Sequence, residues 1–250
     1  MIAFHDAGRC GLGQARAMSI AFVTGASRGL GRELARGLVA AGHEVIGIGK
    51  DPLRAQETSA ELGIEFEIAD LQSISEARDL ASRLLSKYGV PEIVVLAHGV
   101  MSEKMAKTLR TNDDEWSRVM NINLNSVFTL VNALGAPMAE SRNGRIIIFS
   151  ACLGRMSGPG NAGGLAPYRI SKAGVNALVR NLAHETGHGS RGFLVDAICP
   201  NHSRTDMGGP DAPRSADEGA ETAIWLATRE LTPGATQTGL LWEDREVVPW

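Results

Sequence analysis

The feature that most constrains this chain is an alternation. Short apolar runs rich in β-branched residues recur as IAFV (20–23), VIGI (45–48), IEFEI (64–68), IVVLA (93–97), RIIIFS (145–150) and FLVDAIC (193–199). Longer segments with helical spacing separate them. In the first of these, Leu30, Leu34 and Leu38 recur every fourth residue and Ala35 and Val39 fill the same side, which makes one apolar stripe able to cover a sheet. Strands this apolar are covered on both faces, as in a parallel sheet, and right-handed crossovers then leave a doubly wound α/β (Rossmann) sheet as the expected fold. Ligand sites in such a sheet lie at the carboxyl ends of the strands. The segment TQTGLLWED (236–244) reads as a last short strand. With no linker or internal repeat, residues 19–250 are expected to form one domain and residues 1–18 a disordered leader, with Met18 a candidate functional start. GRCGLG (8–13) imitates a glycine fingerprint, but no strand precedes it and no long amphipathic helix follows.

The first chemical motif, TGASRGLG (24–31), joins the first strand to the first helix. Its glycines let the backbone turn tightly and approach a pyrophosphate, whose charge would rest on free N–H groups at the helix start. Gly25, Ser27, Arg28, Gly29, Leu30 and Gly31 are therefore candidate cofactor residues. Charge argues the phosphate state. Lys50 follows the second strand and Arg28 lies in the glycine loop, a pair of cations suited to a ribose 2′-phosphate and hence to NADPH. Asp51, which could pass for a ribose-binding carboxylate, precedes Pro52 and reads better as a helix N-cap.

Tyr168 and Lys172 lie four apart near the start of a segment with helical spacing, so they share one face. A lysine ammonium there favours the phenolate and is expected to bring the tyrosine into a useful acid/base range.

These motifs, together with Asp70-Leu71 after the third strand, Asn123 in MNINLNSVF, and the stretch from Pro200 to Thr205, occur in the order of the short-chain dehydrogenase/reductase family, which the chain resembles from about Ser19 to Trp250. The tail from Thr205 to Thr228, with VVPW at the end, is similar to carbonyl-reductase-like members. The resemblance implies that Asp70 approaches the adenine, that Asn123 holds a water linking Lys172 to solvent, and that Thr205 touches the carboxamide. It also implies cofactor contacts at Leu71, Gly99 and Pro200, and a homodimer or homotetramer.

Departures from the family pattern fall in the same motifs. The family's Asn-Asn-Ala-Gly is here Leu96, Ala97, His98 and Gly99, its Ser-Ser is Ser150 and Ala151, and its Pro-Gly is Pro200 and Asn201. The usual catalytic serine is replaced by Ala151. Ser150, or Ser157 further along, is a candidate substitute, although a one-residue shift on a strand points a side chain to the opposite face. His98, Ala151, Cys152, Asn201 and His202 all map to strand ends and suggest a remodelled substrate pocket, with either histidine a candidate donor. The Gly154–Pro167 loop and the segment after Thr205 are expected to form a lid.

The expected function is NADPH-dependent reduction of a ketone or related carbonyl of a small molecule, of a kind found in specialised metabolism, with Tyr168, Lys172 and Asn123 as the proton-handling set. The alternatives are a non-redox isomerase, dehydratase or cyclase on the same scaffold, or a silent cofactor-binding protein. A net charge of -3 offers no footprint for nucleic acid or anionic lipid, and no apolar stretch long enough for a membrane span occurs. Cys10, Cys152 and Cys199 show neither metal-ligand spacing nor an even disulfide framework, and the histidines lack paired spacing, so no metal and a cytoplasmic location are expected.

Overall fold

In the computed structural model, which describes residues 19–103, 106–158 and 162–250, every apolar run forms a strand. They are β1 (Ile20–Thr24), β2 (Glu44–Gly49), β3 (Glu65–Ile68), β4 (Ile93–Leu96), β5 (Gly144–Phe149) and β6 (Phe193–Ile198), followed by β7 (Leu241–Glu243) and β8 (Glu246–Val248). The intervening segments form α1 (Gly29–Ala40), α2 (Pro52–Leu62), α3 (Ile74–Tyr88), α4 (Asp113–Met120), α5 (Ser126–Ser141), α6 (Ala166–Glu185) and α7 (Ala216–Thr228). The leader and its GRCGLG motif lie outside the described residues.

The sheet order is β3-β2-β1-β4-β5-β6-β7-β8, with β1 to β7 parallel and β8 antiparallel to β7. This is the doubly wound fold expected. The terminal hairpin is an addition, since the expectation stopped at one last strand. Strand order reverses between β1 and β4, and the crevice beyond their carboxyl ends is where such a sheet takes a ligand.

Period-two alternation on β1 shows why both faces are filled. Ala21 and Val23 join Leu34 and Leu38 of α1 and Ala223 and Leu226 of α7 on one face. Phe22 joins Leu80 and Leu84 of α3, Leu130 and Leu134 of α5, and Val175 and Val179 of α6 on the other. Each fully buried leucine contributes roughly 1.5–3 kcal/mol of transfer free energy, so the two layers clamp the sheet and leave its carboxyl edge to carry the polar residues. Asp51 caps α2 as expected, its Oδ1 accepting from Leu53 N at 3.0 Å and Arg54 N at 3.3 Å.

Candidate active site

The glycine turn brings β1 onto α1 with almost no clearance. A Cβ at Gly31 would stand 2.2 Å from the Gly25 carbonyl oxygen, and one at Gly25, whose φ is +69°, would press on the His98 backbone. Arg28, the residue before α1, is extended and makes no side-chain cap, so the first N–H groups of α1 lack that partner. An uncapped helix start against a close-packed glycine turn suits a pyrophosphate. Ser27 borders the same turn, its hydroxyl close to Gly49 and its carbonyl accepting from Thr58. Leu30 instead directs its side chain toward Gly219 of α7, and Leu71 is buried in the core, so only their backbones can serve a ligand.

Three cations collect at the ends of β1 and β2. Arg28 and Arg54 both pair with Asp206, and Lys50 Nζ meets Asp70 Oδ2 at 2.6 Å. Asp70 also accepts from Gln72 N at 3.0 Å. Arg54 has no distinctive sequence signal, because it reads as one more solvated helix cation.

Tyr168 and Lys172 enter from α6, whose first turn is held in an unusual way. Leu165 precedes the helix in the left-handed region at φ +50° and provides no side-chain cap. Ser102 supplies it from the loop after β4, its hydroxyl accepting from Tyr168 N at 2.8 Å. A left-handed leucine beside a key residue is strain of the kind retained where the surroundings over-determine the backbone.

Lys172 is buried and donates to the Phe149 carbonyl at 2.7 Å, with its Nζ 5.8 Å from the Tyr168 ring centre. Burial lowers the lysine to about 8. The phenol departs from the sequence expectation: burial pushes Tyr168 upward, and negative charge at Cys199 and Cys152 pushes the same way. As built, the site keeps Tyr168 protonated, a proton donor rather than a base.

Asn123 sits in a π-turn, Asn121–Asn125, between α4 and α5. Its amide grips the loop after β4 from both ends, accepting from Val100 N at 2.8 Å and donating to Val100 O at 2.9 Å, and it reaches Ser171 Oγ at 3.1 Å. Gly99 lies between it and the lysine: a Cβ there would be 3.4 Å from Asn123 Oδ1 and 3.5 Å from Lys172 Nζ. Gly99, Asn123, Tyr168 and Lys172 are thus brought together, and π-turns of this kind recur at functional sites.

Ser150 is not brought to them. Its hydroxyl donates to Asn176 Oδ1, with Lys172 O at 3.3 Å, so it braces the sheet against α6. Ser157 is committed too, donating to Trp250 O at 3.3 Å. Asn176 also bonds the Gly154 carbonyl at 3.3 Å, a bracing role that helical spacing alone could not reveal. Ala151 is buried at the end of β5 and Cys152 follows it in a single turn, Cys152–Gly154.

Both histidines are engaged by the protein's own groups. His98 has its Nδ1 2.6 Å from Thr24 Oγ1 and its Nε2 2.9 Å from Ser126 Oγ. Ser126 gives its own hydrogen to Ile122 O at 2.8 Å, which assigns the imidazole proton to Nε2. Burial, with the Lys172 charge second, lowers His98 to about 3, so it is a neutral link between β1 and α5. His202 is exposed, and its Nε2 meets Gly208 O at 2.8 Å to close the loop after β6. Asn201 keeps a left-handed φ of +58°, the conformation that a glycine adopts freely. Thr205 packs its methyl near Gly29 and accepts from Gly208 N at 3.1 Å, so the Pro200–Thr205 stretch overhangs the glycine turn.

Among the described residues no group of three or more His, Cys, Asp or Glu could hold a metal ion, and no helix is long and apolar enough to cross a membrane.

The sequence model for short chain dehydrogenases matches residues 19–216. The chain is 36% identical over 193 residues to the 3-oxoacyl-[acyl-carrier-protein] reductase FabG of Escherichia coli K12, covering 75% of each. Its fold matches a short chain dehydrogenase/reductase family protein at 25% identity and TM-score 0.77, covering 90% of this chain and 94% of that one. It also matches a structure titled as the ribose-5-phosphate isomerase of Brucella melitensis 16M at 28% identity and TM-score 0.77, covering 89% of each. Such different titles on one fold show that the fold does not by itself decide the reaction.

Proposed function

Because the chain belongs to the short-chain dehydrogenase/reductase family, we propose that it is an NADPH-dependent oxidoreductase that reduces a ketone or related carbonyl of a small molecule. The observation that carries this reading is the buried Tyr168–Lys172 pair, set on α6 beside Asn123 at the carboxyl edge of the sheet. The name of the 3-oxoacyl reductase relative supports a carbonyl as the reacting group.

The residues present fit a dinucleotide. The uncapped start of α1 and the backbone around Gly25, Gly29 and Gly31 would hold the pyrophosphate, with Arg28, Lys50 and Arg54 at the ribose 2′-phosphate. Asp70 would stand at the adenine, and Gly99, Pro200 and Thr205 would border the nicotinamide end. When bound, this cofactor supplies a hydride. Tyr168 holds the proton destined for the carbonyl oxygen. Lys172, charged below about pH 8, stabilises the phenolate left behind, and Asn123 fixes the loop over both. Ala151 contributes no hydrogen bond to the developing oxyanion, so its side of the pocket is unassisted.

A second reading follows from that missing hydroxyl: acid/base chemistry by Tyr168 without net redox, as in an isomerase, dehydratase or cyclase. Likeness of fold to a structure named as a ribose-5-phosphate isomerase supports this reading. The family pattern extends the first reading to a cytoplasmic homodimer or homotetramer, since soluble oligomers mostly adopt closed symmetry.

A binding titration with NADPH and then NADH, followed by a carbonyl screen with Tyr168→Phe as control, tests the proposal. Tight NADPH binding, weaker NADH binding, and carbonyl-dependent NADPH consumption that Tyr168→Phe abolishes are expected. Failure to bind either nucleotide overturns it, and turnover with no change in nicotinamide absorbance selects the second reading.

A further inference from the structure

Two of the three cysteines meet at the site, although 47 residues separate them in sequence. Cys199 follows β6, and Cys152 opens the turn that follows β5, the strand paired with β6 in the register Phe149 opposite Ile198. The Cys199 sulfur accepts from Cys152 N at 3.0 Å, which brings the two residues together. Cys199 is buried, whereas Cys152 is half-buried. Both lie close enough to Tyr168 to act on its ionisation. Neither takes part in the proton handling described above.

We propose that Cys152 and Cys199 form a reversible redox-sensitive modification site, in which a low-molecular-weight disulfide oxidises the pair to an intramolecular disulfide beside Tyr168. The attacking group is the Cys152 thiolate. It displaces one thiol from the small disulfide and forms a mixed disulfide. Cys199, after losing its proton to solvent, then attacks the Cys152 sulfur, forms the internal bond and expels the second small thiol. Two protein thiols lose two electrons and two protons, and the small disulfide takes up both.

The surroundings suit this order. The hydrogen bond from Cys199 holds Cys152 below the ordinary thiol range, while donating that bond pushes Cys199 upward. Once Cys152 is capped, the charge that held the Cys199 proton is gone, so the buried thiol is released to act as the resolving partner. Closing an S–S bond of about 2.05 Å, with the Cys199 sulfur already 3.0 Å from Cys152 N, asks for rotation of the Cys152 side chain toward it. The bond would tie the end of β5 to the end of β6 and remove the half-buried thiol.

The test uses the full chain carrying Cys10→Ser, which leaves the pair as its only thiols, and oxidised glutathione as the probe. Free thiols are counted and intact mass is read under non-reducing conditions, without any need for cofactor or substrate. The expected result is loss of both thiols together, loss of two hydrogens in mass, a linked peptide joining Cys152 to Cys199, and full return of both thiols with dithiothreitol. Cys199→Ser should then stop at one stable glutathione adduct on Cys152, and Cys152→Ser should resist modification. A persistent adduct on Cys152 in the chain that retains Cys199, or no reaction at all, overturns the proposal. The readout is chemical, so its failure is distinct from failure of the reductase reading.

Discussion

At the scale of single residues, Ala151 is the position where one atom would change most. It is buried at the end of β5, next to the turn that carries Cys152 and close to the tyrosine helix, while Ser150 and Ser157 are tied up elsewhere. A preorganised hydroxyl donor contributes about a hundred- to a thousandfold in comparable sites. Ala151→Ser is therefore expected to raise kcat for carbonyl reduction roughly ten- to a hundredfold without changing the NADPH Kd, as read from steady-state kinetics and titration. His98 gives a second prediction, about pH. Its folded-state value lies near 3 against an ordinary 6.5, so between those limits the unfolded chain takes up a proton that the folded one refuses. The stability associated with neutral His98 is thus present above pH 6.5 and lost as pH falls toward 3, at up to roughly 1.4 kcal/mol per pH unit. Denaturant unfolding of His98→Ala across this window should show a shallower fall than the parent chain.

At the scale of elements, the segment after β6 is latched to the nucleotide half of the sheet. Asp206 bridges Arg28 before α1 and Arg54 on α2, and the Arg28 partner dominates in holding its carboxyl below the usual range. All three side chains are well exposed, and such pairs are worth about 0.2–1 kcal/mol. Under the NADPH reading the same two cations serve the 2′-phosphate, so Asp206 competes with it. Asp206→Asn is expected to tighten NADPH binding about two- to fivefold and leave NADH binding unchanged, as a paired titration would show. The π-turn at Asn121–Asn125 is the other decisive element. By inserting one residue into the α4–α5 run it turns Asn123 inward to clasp Val100, which in turn sets Gly99 against Lys172.

At the scale of the whole molecule, the far end of the sheet is held by a buried ion pair. Asp196 on β6 receives Arg229 Nη2 at 2.7 Å, Trp242 Nε1 at 2.9 Å and Leu240 N at 3.2 Å, while the guanidinium lies against the rings of Trp225 and Trp242. Asp196→Asn would leave that guanidinium uncompensated, and an equilibrium unfolding measurement is expected to show a loss of about 3–5 kcal/mol. The alternation of apolar runs, the glycine turn and the Asp51 cap were legible because each is local: strand and helix periods, tight turns and caps depend on residues a few positions apart. By itself the amino-acid order determined the doubly wound sheet, the edge at which a ligand would sit, and the four-residue spacing of Tyr168 and Lys172. Tertiary structure alone decided that His98 is a neutral strut, that Ser150 faces Asn176, that Ser102 caps the tyrosine helix, and that Cys152 meets Cys199. Those outcomes depend on which side chains distant in sequence are brought within hydrogen-bond range in a water-poor interior, where each buried polar group must find a partner.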